Sequence, residues 1–235
     1  MKKTAKSSES SRDKLIHSAE RLFAEHGFDG VSVRDIANDA KVNSALVGYY
    51  FRGKAGLLAE VYTRHCEPLK RERARLLAEC SANDRTPALE EVLEAFIQPS
   101  LQAGQGSEEG RSFSRLRAIL SAENSSLLEQ LVAQNFDDTN RVFVDVLCKC
   151  LPHLTREDVF WRLHFLLGSI YYTAIGPYRI KTLSKGKCDP SDPVVTTDEL
   201  ILYAAAGFRS PGNGQNTRRT RVKPRTTKSL STDEA

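Results

Sequence analysis

Residues 32–54 read SVRDIANDAKVNSALVGYYFRGK. Ile36, Ala37 and Ala40 recur at helical spacing and give a short apolar face. Ser32 precedes them and Asp35 follows three residues later, the spacing of a capping box with Asp in place of the usual Glu. Lys41-Val42 then predicts a turn. Asn43 is placed to cap a second short helix, Ser44 to Tyr50, with Leu46 and Val47 facing inward. Two short helices joined by a tight turn form the helix-turn-helix arrangement, in which the second helix lies in the major groove of DNA.

The residue types suit that task. Ser44, Ala45 and Gly48 are small and let backbone approach base edges, although Gly48 weakens the helix by roughly 0.5–1 kcal/mol. Asn43 and Ser44 can bond bases or phosphates, and Tyr49 and Tyr50 can pack on sugar and donate to phosphate. Lys54 opens the next helix, where a cluster of backbone N–H groups also favours phosphate. Arg34, flanked by Ser32 and Val33, projects from the first turn of its helix and has the fork that reads guanine in bidentate fashion. These ten residues are the expected DNA contacts.

Outward from this stretch, apolar residues recur at three and four positions almost everywhere, so the chain is expected to be all-α. A first helix over about 12–26 carries Leu15, Ile16, Ala19, Leu22 and Phe23. Gly27 is expected to end it in the left-handed conformation, with Phe28 folding back on Phe23. A long helix from Gly53-Lys54 should be kinked or interrupted at Pro68. After a polar break at 81–85, Thr86 and Pro87 are expected to start a helix bearing Leu89, Val92, Leu93 and Phe96. A Gly-rich break at 104–110 precedes helices near 111–122, 125–150, 155–175 and 196–208, with 177–195 read as a loop. The expected organisation is a disordered 1–10, a three-helix DNA-binding domain at 11–57, a helical domain at 58–209, and a disordered basic tail from 210 to 235.

Charge follows the same division. Residues 1–64 carry 11 Lys/Arg against 8 Asp/Glu, 65–208 carry 16 against 20, and 209–235 carry 7 against 2. Basic ends suit a phosphate backbone, and the tail from Arg218 to Lys228 is placed to add nonspecific affinity; the acidic middle repels such a backbone. A nucleoid-type binder would need a basic second half, which this is not. No apolar run approaches the ~20 residues that cross a bilayer. The opening Met1–Ser8 has positive charge but no apolar region behind it, unlike an export signal. Five scattered cysteines therefore read as cytosolic thiols.

Enzyme readings find little support. Gly48–Ala55 imitates a phosphate loop, but Ala55 stands where Ser or Thr would hold magnesium and no apolar strand precedes it. Cys148 and Cys150 are two apart on a helix and face different ways, so no metal site is expected. No nucleophile–base or carboxylate pair has a supporting context.

From Arg12 to about Val61 the chain resembles the TetR/AcrR family of one-component regulators. The resemblance is carried by Ala19, Leu22-Phe23, Gly27-Phe28, Ser32-Val33-Arg34-Asp35-Ile36-Ala37, Val42, Tyr49-Tyr50-Phe51, Lys54 and Leu57-Leu58. Arg52-Gly53 departs from the more usual Gly-Ser before the lysine, and Gly48 stands where a larger residue is common. The resemblance implies a cytoplasmic homodimeric repressor, a palindromic double-stranded DNA operator, and a small-molecule effector bound by the C-terminal helices. Trp161–Gly168, with Glu67-Pro68-Leu69, resembles a subgroup that senses acyl chains, implying an acyl-CoA or fatty acid. The expected pocket residues are Phe96, Phe113, Leu116, Leu120, Phe136, Phe143, His164, Phe165 and Tyr172. The expected dimer interface, a four-helix arrangement from the last two long helices, uses Leu163, Leu166, Leu167, Ile170, Leu200, Ile201 and Ala204. No resident cofactor is implied.

Overall fold

The computed structural model describes residues 10–82, 85–105, 126–175 and 177–212, with positions 110, 113, 116, 117 and 120 between them. Of the expected disordered 1–10, residues 1–9 lie outside the described residues, as do 213–235 of the basic tail, while Ser10 is the cap of the first helix. Nine helices are defined among the described residues, without a strand: α1 Ser11–His26, α2 Val33–Asp39, α3 Ala45–Phe51, α4 Lys54–Cys80, α5 Leu89–Gln105, α6 Ser126–Cys150, α7 Arg156–Ile175, α8 Pro177–Leu183 and α9 Pro193–Arg209. Positions 113, 116, 117 and 120, inside the stretch read as a helix near 111–122, are also helical, as is Gly110 at the end of the stretch read as a break. Among the described residues no helix is long and apolar enough to cross a membrane.

The capping chemistry explains the early boundaries. Ser10 accepts from the Asp13 amide and starts α1, one residue before the expected position. Gly27 ends α1 at φ 76° and ψ 171°, so φ is positive as expected while ψ is extended rather than left-handed helical. Its N–H still reaches the Phe23 carbonyl at 3.0 Å, and Phe28 folds back to a ring-centroid separation of 5.6 Å from Phe23. The Ser32–Asp35 capping box is complete in both directions.

Four expectations are corrected. Helix α4 runs uninterrupted past Pro68, which is exposed, so water can satisfy the carbonyl that the proline ring leaves free. Thr86 and Pro87 precede α5 rather than start it; the Glu91 carboxylate takes the Ala88 amide at 2.8 Å and helix begins at Leu89. Gly104 lies inside α5, not in a break. The segment read as a loop at 177–195 contains all of α8 and the start of α9, where Asp192 accepts from the Val194 and Val195 amides and Pro193 takes the first turn. Proline fits a first turn because it has no N–H to leave unpaired there.

Two apolar cores result. The first unites α1, α2 and α3 with Leu57, Leu58, Val61, Tyr62, Cys66 and Leu69 of α4, and it also takes in Phe113, Leu116, Leu120, Leu131 and Phe136. The second joins Leu77 of α4 to α5, the C-terminal half of α6, α7 and α9. Helix α4 therefore crosses the expected limit at 57/58 without a break, and its packing changes cores between Leu69 and Leu77.

Candidate nucleic-acid interface

Helix α3 is held from below by two residues. Val47 is 0% exposed and Phe51 6%, and each fully buried side chain of this kind contributes roughly 1.5–3 kcal/mol. The opposite face is bare. Asn43, Ser44, Ala45, Gly48, Tyr49 and Tyr50 are all exposed, Tyr49 by 78%. A side chain added at Gly48 would meet nothing within 4 Å, so the protein itself does not require glycine there. The two tyrosines sit edge-on at 5.0 Å, which fixes one against the other.

The cap of α3 differs in one detail from the expectation. The formal N-cap is Ser44, which makes no side-chain cap bond. Asn43 supplies it: its Oδ1 accepts from the Ala45 amide at 2.8 Å, leaving the side-chain NH2 to point elsewhere. Ser32, by contrast, is committed to its cap, its hydroxyl 2.6 Å from Asp35 Oδ2 and accepting from the Asp35 amide. The Ser32 hydroxyl and, second, the Ser32 amide, which donates to Asp35 Oδ2 at 2.9 Å, hold the Asp35 carboxyl below its usual range. Arg34 is exposed beside it, and Val33 is half-buried against the first core.

Lys54 is not free for phosphate. Its Nζ donates to the carbonyls of Phe28 at 2.9 Å and Val31 at 3.0 Å. It also lies 4.2 Å above the Phe28 ring. The ammonium thus ties the α1–α2 loop to the start of α4. The α3–α4 corner leaves no slack: a Cβ on Gly56 would fall 1.8 Å from the Phe51 carbonyl oxygen, so only glycine fits. Two exposed cations flank α3 that the sequence reading did not select. Lys41 in the turn (φ 54°) and Arg52 after the helix (φ 61°) both adopt left-handed backbone. Their signal in the sequence was position, one on each side of the capped helix.

The remaining expected sites are rearranged. Phe96 and Phe143 pair at 4.8 Å in the second core. Phe113, Leu116, Leu120 and Phe136 belong to the first. His164, Phe165 and Tyr172, expected in the pocket, are exposed on the outer side of α7, Phe165 by 62%. Conversely Leu163, Leu166, Ile170, Leu200, Ile201 and Ala204, expected at the dimer interface, are buried in the second core, with Leu167 half-buried against it. On α7 the residues expected in the pocket are exposed and those expected at the interface are buried or half-buried, and on α9 the residues expected at the interface are buried. The outward face carries Trp161, stacked on Phe165 at 5.9 Å, with Leu202 and Tyr203 exposed on α9. Arg162 joins the two helices by donating to the Phe208 and Ser210 carbonyls at the end of α9. A groove of about 470 Å3 runs between α4 and α6, lined by Ala74, Leu77, Ala78, Val142, Phe143 and Val146 among others. Among the described residues no cluster of three His, Cys, Asp or Glu could hold a metal.

Comparison with known proteins agrees with this architecture. Residues 15–61 match the family model described as bacterial regulatory proteins, tetR family, and residues 94–207 match a tetracyclin repressor-like C-terminal domain. The chain is 39% identical over 84 residues to the probable HTH-type transcriptional regulator YttP of Bacillus subtilis, covering 36% of this chain and 39% of that one. It is 32% identical over 94 residues to the HTH-type transcriptional regulator BetI of Agrobacterium fabrum, covering 40% and 43%. The chain thus spans about two fifths of the length of these curated relatives. The structure of the fatty acid degradation regulator FadR from Bacillus halodurans superposes with a TM-score of 0.58 over 84% of this chain and 97% of that one, at 16% identity. The two family models together span more than half of the sequence: the chain belongs to the TetR family of bacterial regulatory proteins.

Proposed function

We propose that this chain is a sequence-specific DNA-binding transcription regulator, working in the cytoplasm as a homodimeric repressor that a small apolar or amphipathic molecule releases from a palindromic operator. The observation that carries it is the two-faced α3: Val47 and Phe51 anchor a helix whose other face is exposed and polar or aromatic. Residues 11–57 supply the DNA-binding domain and 58–209 the ligand-binding and dimerising one. Arg34, Asn43, Ser44, Ala45, Gly48, Tyr49 and Tyr50 meet the operator, with Ser32 and Val33 shaping the helix start. Lys41 and Arg52 take phosphates, and Lys54 contributes its backbone N–H rather than its ammonium.

The dimer uses the outward face of α7 and α9. Trp161, Phe165, Tyr172, Leu202 and Tyr203 are each more than half exposed, an apolar surface that a second copy would cover. Such a dimer presents two α3 helices about one DNA turn apart, roughly 34–36 Å. Coupling runs through α4, which joins both cores as one continuous helix. A ligand in the second half that favours another setting of α4 changes the spacing of the α3 pair; equal affinity for both settings would shift nothing.

The test is a fluorescence anisotropy titration on a duplex carrying the DNA upstream of the chain's own gene. Arg34→Ala is expected to lose about 1–3 kcal/mol and relax specificity at one base pair. Tyr49→Ala should weaken binding to every sequence alike. Wild-type affinity in both variants on a site that the wild type binds specifically would refute the contact set.

A further inference from the structure

Helix α8 belongs to neither core. Every side chain from Tyr178 to Leu183 is exposed, Tyr178 by 82% and Leu183 by 78%. A helix this short is marginal in water, and this one gains no stability from packing. What holds it is local. The Ser184 amide donates to the Ile180 carbonyl at 2.9 Å and the Gly186 amide to the Lys181 carbonyl at 2.8 Å. Lys181 Nζ reaches Asp189 Oδ2 at 2.6 Å. Lys185 and Gly186 turn the chain with φ of 55° and 83°. The segment is built as a unit, yet its side chains face only solvent.

Its charge differs from that of its surroundings. Residues 177–192 carry 4 Lys/Arg against 2 Asp/Glu, whereas the rest of 65–208 carries 12 against 18. Elsewhere in this half the exposed cations are paired, as Arg75 is with Glu72 and Glu79, Arg141 with Asp137 and Asp138, and Arg156 with Asp145. Of the described lysines and arginines between 65 and 209, only Lys149, Arg179, Lys185 and Lys187 have no hydrogen bond, ion pair or ring contact. Three of these four stand together on α8 and its turn. Their place in the fold is also defined. Tyr62 is eight residues, about 12 Å, along α4 from Lys54. The C-terminal end of α7 reaches that level: Tyr171 donates to the Arg117 carbonyl at 3.0 Å, and Arg117 and Tyr171 both act on the Tyr62 hydroxyl. The other end of α9 lies at the start of α5, where Arg209 pairs with Glu90. Helix α8 therefore extends from the end of the second half that faces the first core, on which α3 is mounted.

We propose that residues 178–187 form a second DNA-binding element, in which Arg179, Lys185 and Lys187 hold phosphates of the operator between its two half-sites and Tyr178 packs on the sugar beside them. This rests on the dimeric DNA-binding reading above and adds a contact outside the helix-turn-helix. In that dimer the outward faces of α7 and α9 meet, so α8, which joins them at their DNA-side ends, lies near the two-fold axis, above the duplex that spans the two α3 helices. A cation already neutralised by a carboxylate gains little from a phosphate; an unpaired one releases a counterion from the duplex when it binds. Such contacts position the protein and read no sequence, so the element adds affinity rather than specificity. Three apolar side chains on two turns fall short of the continuous apolar face with which a helix lies in a lipid surface, which favours DNA as the anionic partner.

The experiment is a salt titration of the full-length protein on a palindromic duplex selected from random sequence and on a scrambled one, read by fluorescence anisotropy. The variant carries Arg179→Gln, Lys185→Gln and Lys187→Gln together, all on exposed side chains, and should melt as the wild type does. Each lost phosphate contact takes about 0.9 from the slope of log K against log salt, so the six cations of a dimer should make it shallower by about 3 to 5. Affinity near ~0.1 M salt should fall at least about 10-fold on both duplexes, with their ratio kept. Lys149→Gln removes the fourth unpaired cation, at the other end of the second half, and should leave the slope unchanged. Uncharged methylphosphonate linkages between the half-sites should weaken the wild type and not the triple variant. A wild-type slope in the triple variant, an equal loss from Lys149→Gln, or the same response of both proteins to the neutral linkages would overturn the proposal. Sedimentation of the wild type but not the triple variant with phosphatidylglycerol vesicles, with the slope unchanged, would overturn it in favour of a lipid surface. A protein that selects a palindrome but fails these tests keeps the proposed function and loses this inference; one that binds no duplex loses both.

Discussion

Replacing Lys54 with methionine keeps the aliphatic stem and removes the ammonium. In the native protein that group makes two charged hydrogen bonds, to Phe28 and Val31, and covers the Phe28 ring. Two such bonds in a dry interior would contribute about 3–6 kcal/mol. Lys54 is only half-buried, so water can reach the vacated carbonyls, and about 2 kcal/mol is the expected net loss. With a urea m-value of about 2 kcal/mol/M, the denaturation midpoint followed by circular dichroism should fall by about 1 M. The DNA readout distinguishes this from a phosphate contact. Each neutralised phosphate adds about 0.9 to the slope of log K against log salt. At temperatures where the variant is folded, Lys54→Met should keep the wild-type slope. A variant with an unchanged midpoint and a slope shallower by about one would refute the assignment and return Lys54 to the DNA backbone.

Four further outcomes are expected. Gly48→Ala should stabilise the chain by about 0.5–1 kcal/mol in the same urea titration, because its Cβ meets nothing, while lowering operator affinity because that Cβ would face the groove. Phe165→Glu, on the exposed face of α7, should give a folded monomer by light scattering, whereas a persisting dimer would place the interface elsewhere. Burial pushes the Cys66 thiol up to about 12, so a thiol reagent should modify exposed Cys188 quickly and Cys66 only on unfolding. The Asp35 and Asp39 carboxyls sit below their usual range, Asp35 through Ser32 and Asp39 through Ser18 and then Arg21. Their stability is present in full above the unfolded value of about 3.9 and drains as pH falls through the lower folded values. The difference in urea midpoint between the native chain and the D35N/D39N double variant should therefore be constant above about pH 5 and close in acid.

The N-terminal region was legible because its signals are local. A capping box, a glycine at a helix end and a capped turn depend on residues three or four apart, and each reappears in the structure with at most a one-residue shift. The second half was legible as helices but not as surfaces. Helix α7 carries leucines on one face and Trp161, Phe165 and Tyr172 on the other, so periodicity alone could not say which side turns inward. The larger aromatic residues looked like pocket lining; the structure buries the leucines and leaves the rings outside. Proline misled in both directions. Pro68 was expected to kink or interrupt a helix, and the helix continues through it on the exposed side; Pro177 and Pro193 suggested a loop and instead begin helices. Arg73 of α4 drew no notice in the sequence. A lone arginine among charged neighbours reads as surface, and only the three-dimensional packing shows that it is enclosed.

The central claim is that a pair of α3 helices reads a two-fold DNA sequence. It is tested most directly by selecting binding sites from a pool of random duplexes with the purified full-length protein. The account predicts enrichment of one palindromic sequence, with half-sites about 10 base pairs apart centre to centre and binding at least ~1,000-fold tighter than to a scrambled duplex. A pool that stays random after repeated selection, or that enriches a site without two-fold symmetry, would contradict it.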